Sequence, residues 1–317
     1  MSEMVTAAGA ASLLRAADRI LILVHQYPDG DTLGSGFALC RALLRLGKTA
    51  RVECSDHIPE KYDSLREGLT MPAFEPAFVC AVDVADTNLL GETLAGYADR
   101  VDLCIDHHGS NGQYARSLLL RADYAATAML VREVIAALGV ELDSAIADGI
   151  YTGMATDTGC FQYANTTADT LRMAAEMLDC GARSEMINRT MFDLKSRARV
   201  ELERLALDSM RFYLNDRCAV MMITKDMIAR SGVQENDMEG LAPLPRQIEG
   251  VWVGVTLREK QDGSYKVSVR TGSHADASEI CRKLGGGGHQ RASGCTVEGP
   301  AARAVKTVVA AVKDIIG

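Results

Sequence analysis

Leu103-Cys104-Ile105-Asp106-His107-His108-Gly109 is an apolar run that stops at one carboxylate and two imidazoles. Such a run reads as a buried strand delivering polar side chains at its C-terminal tip. The same pattern occurs twice upstream. Ile20-Leu21-Ile22-Leu23-Val24 leads into His25-Gln26-Tyr27-Pro28-Asp29-Gly30-Asp31, and Phe78-Val79-Cys80-Ala81-Val82 leads into Asp83. In open parallel α/β sheets ligands gather beyond the carboxyl ends of the strands, so three segments far apart in sequence can converge on one site. The fold expected is α/β, with a parallel, Rossmann-like sheet in the N-terminal part.

Working outward, residues 11–19 read as a helix leading into a strand at 20–24. Leu33, Phe37, Leu39, Leu43 and Leu46 give helical spacing over 32–46, closed by Gly47, before a strand at 49–53. Residues 54–76 are a connection of no assigned form. A helix is expected near 87–97, others at 125–138, 142–155 and 168–179, and one long charged helix over 185–212. Beyond it come a strand at 218–223, helical segments at 225–230 and about 237–248, and a β-hairpin over 251–270 turning at Gln261-Asp262-Gly263. A helix at 276–284 runs into Gly285-Gly286-Gly287-Gly288-His289, followed by a strand at 294–297 and a helix at 300–316. The division expected is a catalytic domain at 1–184, a helical linker at 185–213, and a smaller α/β domain at 214–317.

At 317 residues and 48% hydrophobic content the chain can bury two cores. No run approaches the roughly 18 apolar residues of a membrane span, and Met1-Ser2-Glu3 offers no basic export signal. The nine cysteines form no CxxC pair and read as reduced, small apolar residues. A cytoplasmic location is expected, with no membrane partner. Residues 1–190 hold 15 Lys+Arg against 26 Asp+Glu, while 191–317 hold 19 against 16. The acidic half suits cations and the slightly basic half an anion. Neither resembles a face that tracks long nucleic acid.

His25, Asp29, Asp31, Asp83, Asp106, His107, His108 and Asp157, the last in Thr156-Asp157-Thr158-Gly159, give five carboxylates and three imidazoles. That many like charges gathered together require cations. Oxygen-rich donors with some imidazole favour two octahedral divalent ions, Mn²⁺ first and Mg²⁺ or Co²⁺ as alternatives. Such a pair clamps the attacking and leaving oxygens of a phosphoryl displacement. The glycine tract, set between a helix and a strand and ending in His289, reads as backbone N–H groups wrapping an anion.

These motifs resemble the DHH phosphoesterase superfamily, in its DHH–DHHA1 type that includes bacterial nanoRNases also acting on 3′-phosphoadenosine 5′-phosphate (PAP). The resemblance covers nearly the whole chain, with Tyr27 and Thr271 as departures where Asn and Ser are frequent. It implies that His25, Asp29 and Asp83 hold one metal, and that Asp31, Asp83, His107 and Asp157 hold the second. It further implies that Asp106 orients His107, that catalytic His108 faces the scissile phosphate, and that Arg270, Thr271, Gly286, Gly287, Gly288 and His289 grip a terminal phosphate. Short 5′-phosphorylated RNA, pApA and PAP are the implied partners, and a homodimer is compatible with the sequence. Alternatives of the same superfamily are a manganese pyrophosphatase, whose basic Ser-Arg-Lys-Lys type segment is missing here, and an inactive nucleotide sensor.

Overall fold

The computed structural model describes residues 2–234, 238 and 240–317. The chain divides into two compact units, Met1–Leu194 and Lys195–Gly317. In the first, strands β1 (Glu3–Met4), β2 (Ile20–Leu23), β3 (Ala50–Glu53), β4 (Phe78–Val82), β5 (Leu103–Asp106) and β6 (Ser117–Leu120) form one sheet. Its order is β1-β6-β5-β4-β2-β3 and every pair is parallel. Its helices are α1 (Ala7–Ala16), α2 (Gly30–Arg45), α3 (Asp63–Arg66), α4 (Thr127–Ala137), α5 (Ser144–Asp157), α6 (Ala168–Asp179) and α7 (Ser184–Asn188). Ile20, Ile22, Cys80, Val82, Leu103 and Ile105 pack on one face with α2, α4 and α5, and Leu21, Leu23, Val79, Ala81 and Cys104 on the other with Leu90 and Leu94. Burial on both faces is why these strands are apolar throughout. Leu23 pairs with Ala81, and Val82 with Ile105. The three strands therefore end level, and their polar tips emerge side by side.

Helices α2 and α5 meet along a glycine seam. A Cβ on Gly34 would lie 2.2 Å from the Gly149 carbonyl oxygen, and one on Gly153 would lie 2.6 Å from Asp31 Oδ1. Only hydrogen fits there, and the close approach brings Asp31 at the start of α2 toward Asp157 at the end of α5.

The second unit holds α8 (Arg197–Asp208), β7 (Arg211–Tyr213), β8 (Cys218–Ile223), α9 (Lys225–Ser231), β9 (Val253–Glu259), β10 (Tyr265–Thr271), α10 (Ala277–Arg282), β11 (Gly287–His289), β12 (Ala292–Val297) and α11 (Ala301–Ile316). The sheet order is β11-β12-β10-β9-β8-β7, antiparallel except between β8 and β9. Alternate residues Val253, Val255, Leu257, Val267 and Val269 form the core with α10 and α11. Among the described residues no helix is long and apolar enough to cross a membrane.

Several expectations are corrected. The helix expected at 11–19 is α1, which lies earlier and ends at Ala16. The segment 87–97 folds as 3₁₀ turns over Thr87–Leu90 and Glu92–Arg100. Strands β1, β6, β7 and β11 are additional to those expected, β7 lying where the long charged helix is expected to end. The continuous helix over 185–212 is broken: α7 passes into a π turn at Arg189–Asp193, Leu194 is extended, and Ser196 caps α8 by accepting from the Arg199 N–H. The segment expected at about 237–248 falls partly outside the described residues, and Leu244–Gln247 within it is a 3₁₀ turn.

Candidate functional site

Beyond the ends of β2, β4 and β5 the first unit gathers His25, Asp29, Asp31, Asp83, His107, His108 and Asp157. His25 Nε2 lies 3.6 Å from Asp29 Oδ1 and 3.7 Å from Asp83 Oδ2. His107 Nε2 lies 3.9 Å from Asp83 Oδ1 and 3.5 Å from Asp157 Oδ2. These gaps are long for hydrogen bonds. They fall between the roughly 3 Å of adjacent and the roughly 4.2 Å of opposite ligands each about 2.1 Å from an octahedral ion. Two triads, His25-Asp29-Asp83 and Asp31-His107-Asp157, each have donor atoms within 4.8 Å of one another. Asp83 presents one oxygen toward His25 and the other toward His107.

The backbone aims these donors. Asp83 adopts φ +60° and Tyr27 φ +57°, the left-handed region that costs a non-glycine residue energy and is concentrated at functional sites. Asp29 caps α2 by accepting from the Asp31 and Thr32 N–H groups. His25 Nδ1 pairs with the Gln26 carbonyl at 2.7 Å, and His107 Nδ1 with the Tyr124 carbonyl at 3.1 Å. A carbonyl can only accept, so each Nδ1 carries a proton and Nε2 is the atom left to offer a lone pair to a cation. His107 Nε2 is buried with no hydrogen-bond partner. An orphaned lone pair facing two carboxylates fits a cation.

The acids point the same way. Burial, then the charges of Asp157 and Asp29, push Asp31 up to about 8. Burial and the neighbouring Asp31 and Asp29 charges hold Asp83 well above the ordinary carboxylate range, and burial raises Asp157. Carboxylates this crowded keep protons unless a cation replaces them.

Three supports are not legible as motifs. The Thr127 hydroxyl donates to Asp83 Oδ1 at 2.7 Å, the Thr127 and Ala128 N–H groups at the start of α4 donate to Asp31, and the Ser35 hydroxyl donates to Asp31 Oδ1. A helix N-terminus holding a carboxylate is a common anion device, but a Thr-Ala pair carries no sequence mark of it.

The pairing implied for Asp106 is corrected. Asp106 Oδ1 accepts from His108 Nδ1 at 2.8 Å, not from His107, while Asn111 donates to Asp106 Oδ2. Asp106 lies at the end of β5, and the His108 N–H folds back onto the same carboxylate. The adjacent rings cross edge-on at 62°. Distance alone also groups His108 with Asp83 and His107, yet its Nδ1 is committed to Asp106. The hydrogen bond to Asp106 raises the His108 pKa, and the side chain is 43% exposed, available to an anionic ligand.

In the second unit, Arg270 pairs across strands with Ala292, which in turn faces His289. The Arg270 guanidinium donates to the Val269 carbonyl and forms no ion pair among the described residues. Gly287, Gly288 and His289 form the exposed edge strand β11, whose outer N–H groups are unpaired by the sheet. Gly286 packs under it, where a Cβ would strike the Gly294 carbonyl oxygen. Thr271 departs from its expected place among the gripping residues: it is buried and donates to the Gln290 carbonyl at 2.9 Å.

The chain matches the DHH family N-terminal domain over residues 19–154 and the DHHA1 domain over 215–317. It is 33% identical to the bifunctional oligoribonuclease and PAP phosphatase NrnA of Thermus thermophilus, over 91% of this chain and 87% of that one. Against the Bacillus subtilis protein of the same name it is 25% identical, over 88% and 90%. An exopolyphosphatase-related protein from Bacteroides fragilis superposes with a TM-score of 0.87 at 25% identity, covering 97% of this chain and 96% of that one. The chain belongs to the DHH–DHHA1 family, of the NrnA type.

Proposed function

We propose that this chain is a two-metal phosphoesterase that hydrolyses short 5′-phosphorylated oligoribonucleotides, pApA among them, and PAP. The observation that supports it best is the pair of donor triads, with Asp83 of the first reaching 3.9 Å from the unpartnered His107 Nε2 of the second. His25, Asp29 and Asp83 would hold one divalent cation and Asp31, Asp83, His107 and Asp157 the other, Mn²⁺ by the mixed donor set. When bound, the cations supply a nucleophile at neutral pH and charge for the phosphoryl oxygens.

The chain's own residues do the rest. His108, protonated on Nδ1 and fixed by Asp106 and Asn111, presents its other nitrogen toward the phosphate. With its pKa raised it donates a proton to the leaving oxygen. Arg270, β11 and His289 take the substrate's terminal phosphate, where close backbone approach and a guanidinium add charge-assisted contacts. The oligoribonuclease and PAP phosphatase activities are those named for the Thermus relative. The test is turnover of 5′-phosphorylated dinucleotides, longer oligomers, PAP and pyrophosphate with Mn²⁺ and in chelator. Cleavage of dinucleotides and PAP that chelation abolishes and Mn²⁺ restores is expected. Full activity in chelator, or pyrophosphate as the preferred substrate, would sink the reading.

A further inference from the structure

The second unit carries a stack of planar groups that no role above uses. Trp252, the chain's single tryptophan, has the Arg217 guanidinium 4.2 Å over its ring. The His274 imidazole stacks on it at 4.6 Å between centroids and 12° between planes. His274 is exposed, so the imidazole face turned away from the indole is open. An exposed aromatic face backed by a second ring and a cation is the surface on which nucleobases stack.

The stack is held in advance of any ligand. The Trp252 N–H donates to the Arg217 carbonyl at 2.8 Å, and the Gly272 N–H to the Trp252 carbonyl at 3.2 Å. Arg291 donates to the Gly272 and Ala275 carbonyls, bracing the loop from both sides of His274. A surface fixed this way loses little entropy when a ring settles on it.

Its position relative to Arg270 follows from the strand register. Arg270 pairs with Gly254, and Trp252 lies two residues earlier on that strand's approach. Their backbones are diagonal neighbours, roughly 7–8 Å apart, and alternation with the core residues Val253 and Val269 puts both positions on the opposite sheet face. A second cation stands close by: the Arg246 guanidinium lies against Gly272, and its Nε is buried with no hydrogen-bond partner. A phosphate site and a stacking face on neighbouring positions of one sheet face suit the two ends of one nucleotide.

We propose that His274, backed by Trp252 and Arg217, is the stacking platform for the base of the nucleotide whose phosphate meets Arg270. This rests on the nucleotide-substrate reading above and adds to it a contact to the base. It makes the second unit discriminate a nucleotide from a bare sugar phosphate.

The test uses the full chain in chelator, titrated with adenosine 5′-monophosphate or ribose 5-phosphate, by calorimetry and by Trp252 emission. Adenosine 5′-monophosphate is expected to bind saturably and quench Trp252, and ribose 5-phosphate to bind without quenching. His274→Ala should weaken the nucleotide by roughly 5- to 100-fold and leave ribose 5-phosphate unchanged, while His274→Phe keeps the nucleotide affinity. The proposal is overturned if the nucleotide does not bind, if His274→Ala leaves it unaffected, or if that variant weakens both ligands equally. A chain that binds adenosine 5′-monophosphate in this manner yet cleaves no phosphorylated dinucleotide with Mn²⁺ would overturn the phosphoesterase reading and leave this one standing.

Discussion

His107 and His108 are neighbours in sequence, yet their surroundings give them opposite tasks. His107 is tied at Nδ1 to a carbonyl and turns a bare lone pair toward Asp83 and Asp157, whereas His108 is tied to a carboxylate and turns outward. Their substitutions should therefore separate. His108→Ala should keep its metal and lose roughly 10²–10⁴ in kcat, the usual worth of a positioned general acid. Asp83→Asn keeps an acceptor for the Thr127 hydroxyl and tolerates the left-handed backbone, but removes a charge that belongs to one triad and faces His107 of the other. It should lose metal and cost more than the roughly 10–100-fold typical of groups outside the ligand set. Elemental analysis of each variant beside its kcat checks both, and metal loss in His108→Ala would make His108 a ligand. That these acids and imidazoles gather in one place was legible in sequence because several apolar strands each run into them, a joint pattern that a single His or Asp at a strand end would not give. The Asp106 to His108 bond was not, since it depends on how the chain folds back after β5.

At the scale of elements, the glycine seam sets the spacing on which the site depends. Gly34→Ala places a methyl group against the Gly149 carbonyl oxygen, backbone against backbone, where neither helix can yield. A loss of about 1–3 kcal/mol or more is expected from such overpacking. Gly96→Ala, with nothing within 4 Å of the new methyl and no positive φ, should be neutral or stabilise by a few tenths of a kcal/mol. Urea midpoints of the two variants provide the comparison, and equal midpoints would remove the seam from the argument. Helices such as α2 and α6 were legible from periodicity and caps. Strand β6 was not: like β2 and β5 it is only four residues long and without alternation, but no cluster of acids and imidazoles follows it to mark its end. The break before α8 rests on one capping serine inside a charged run that otherwise reads as helix.

For the whole molecule, crowded acids make stability depend on pH when cations are withheld. An unfolded aspartate loses its proton near 3.9, but Asp31 keeps it up to about 8, and Asp83 and Asp157 are raised in the same direction. Between those values the folded chain binds more protons than the unfolded one, so stability falls as pH rises. Raised His25 and His108 act with the same sign. In chelator, Tm should drop from pH 5 to pH 8, and added Mn²⁺ should raise it most at pH 8. A chelated Tm flat across that range would contradict the crowding. A parallel sheet followed by a smaller α/β part was legible from the strand patterns, whereas the division of the two compact units at Leu194 falls inside a charged run whose sequence reads as one helix.

The single tryptophan has a consequence for how such melts are read. Trp252 lies in one unit and every donor of the two triads in the other, and each unit has its own core. Emission therefore watches one half of the chain while cations act on the other. If Mn²⁺ shifts the calorimetric transition and leaves the fluorescence transition in place, the halves melt independently. If both shift together, the difference from independence measures the cooperativity between them, with no label added to the chain.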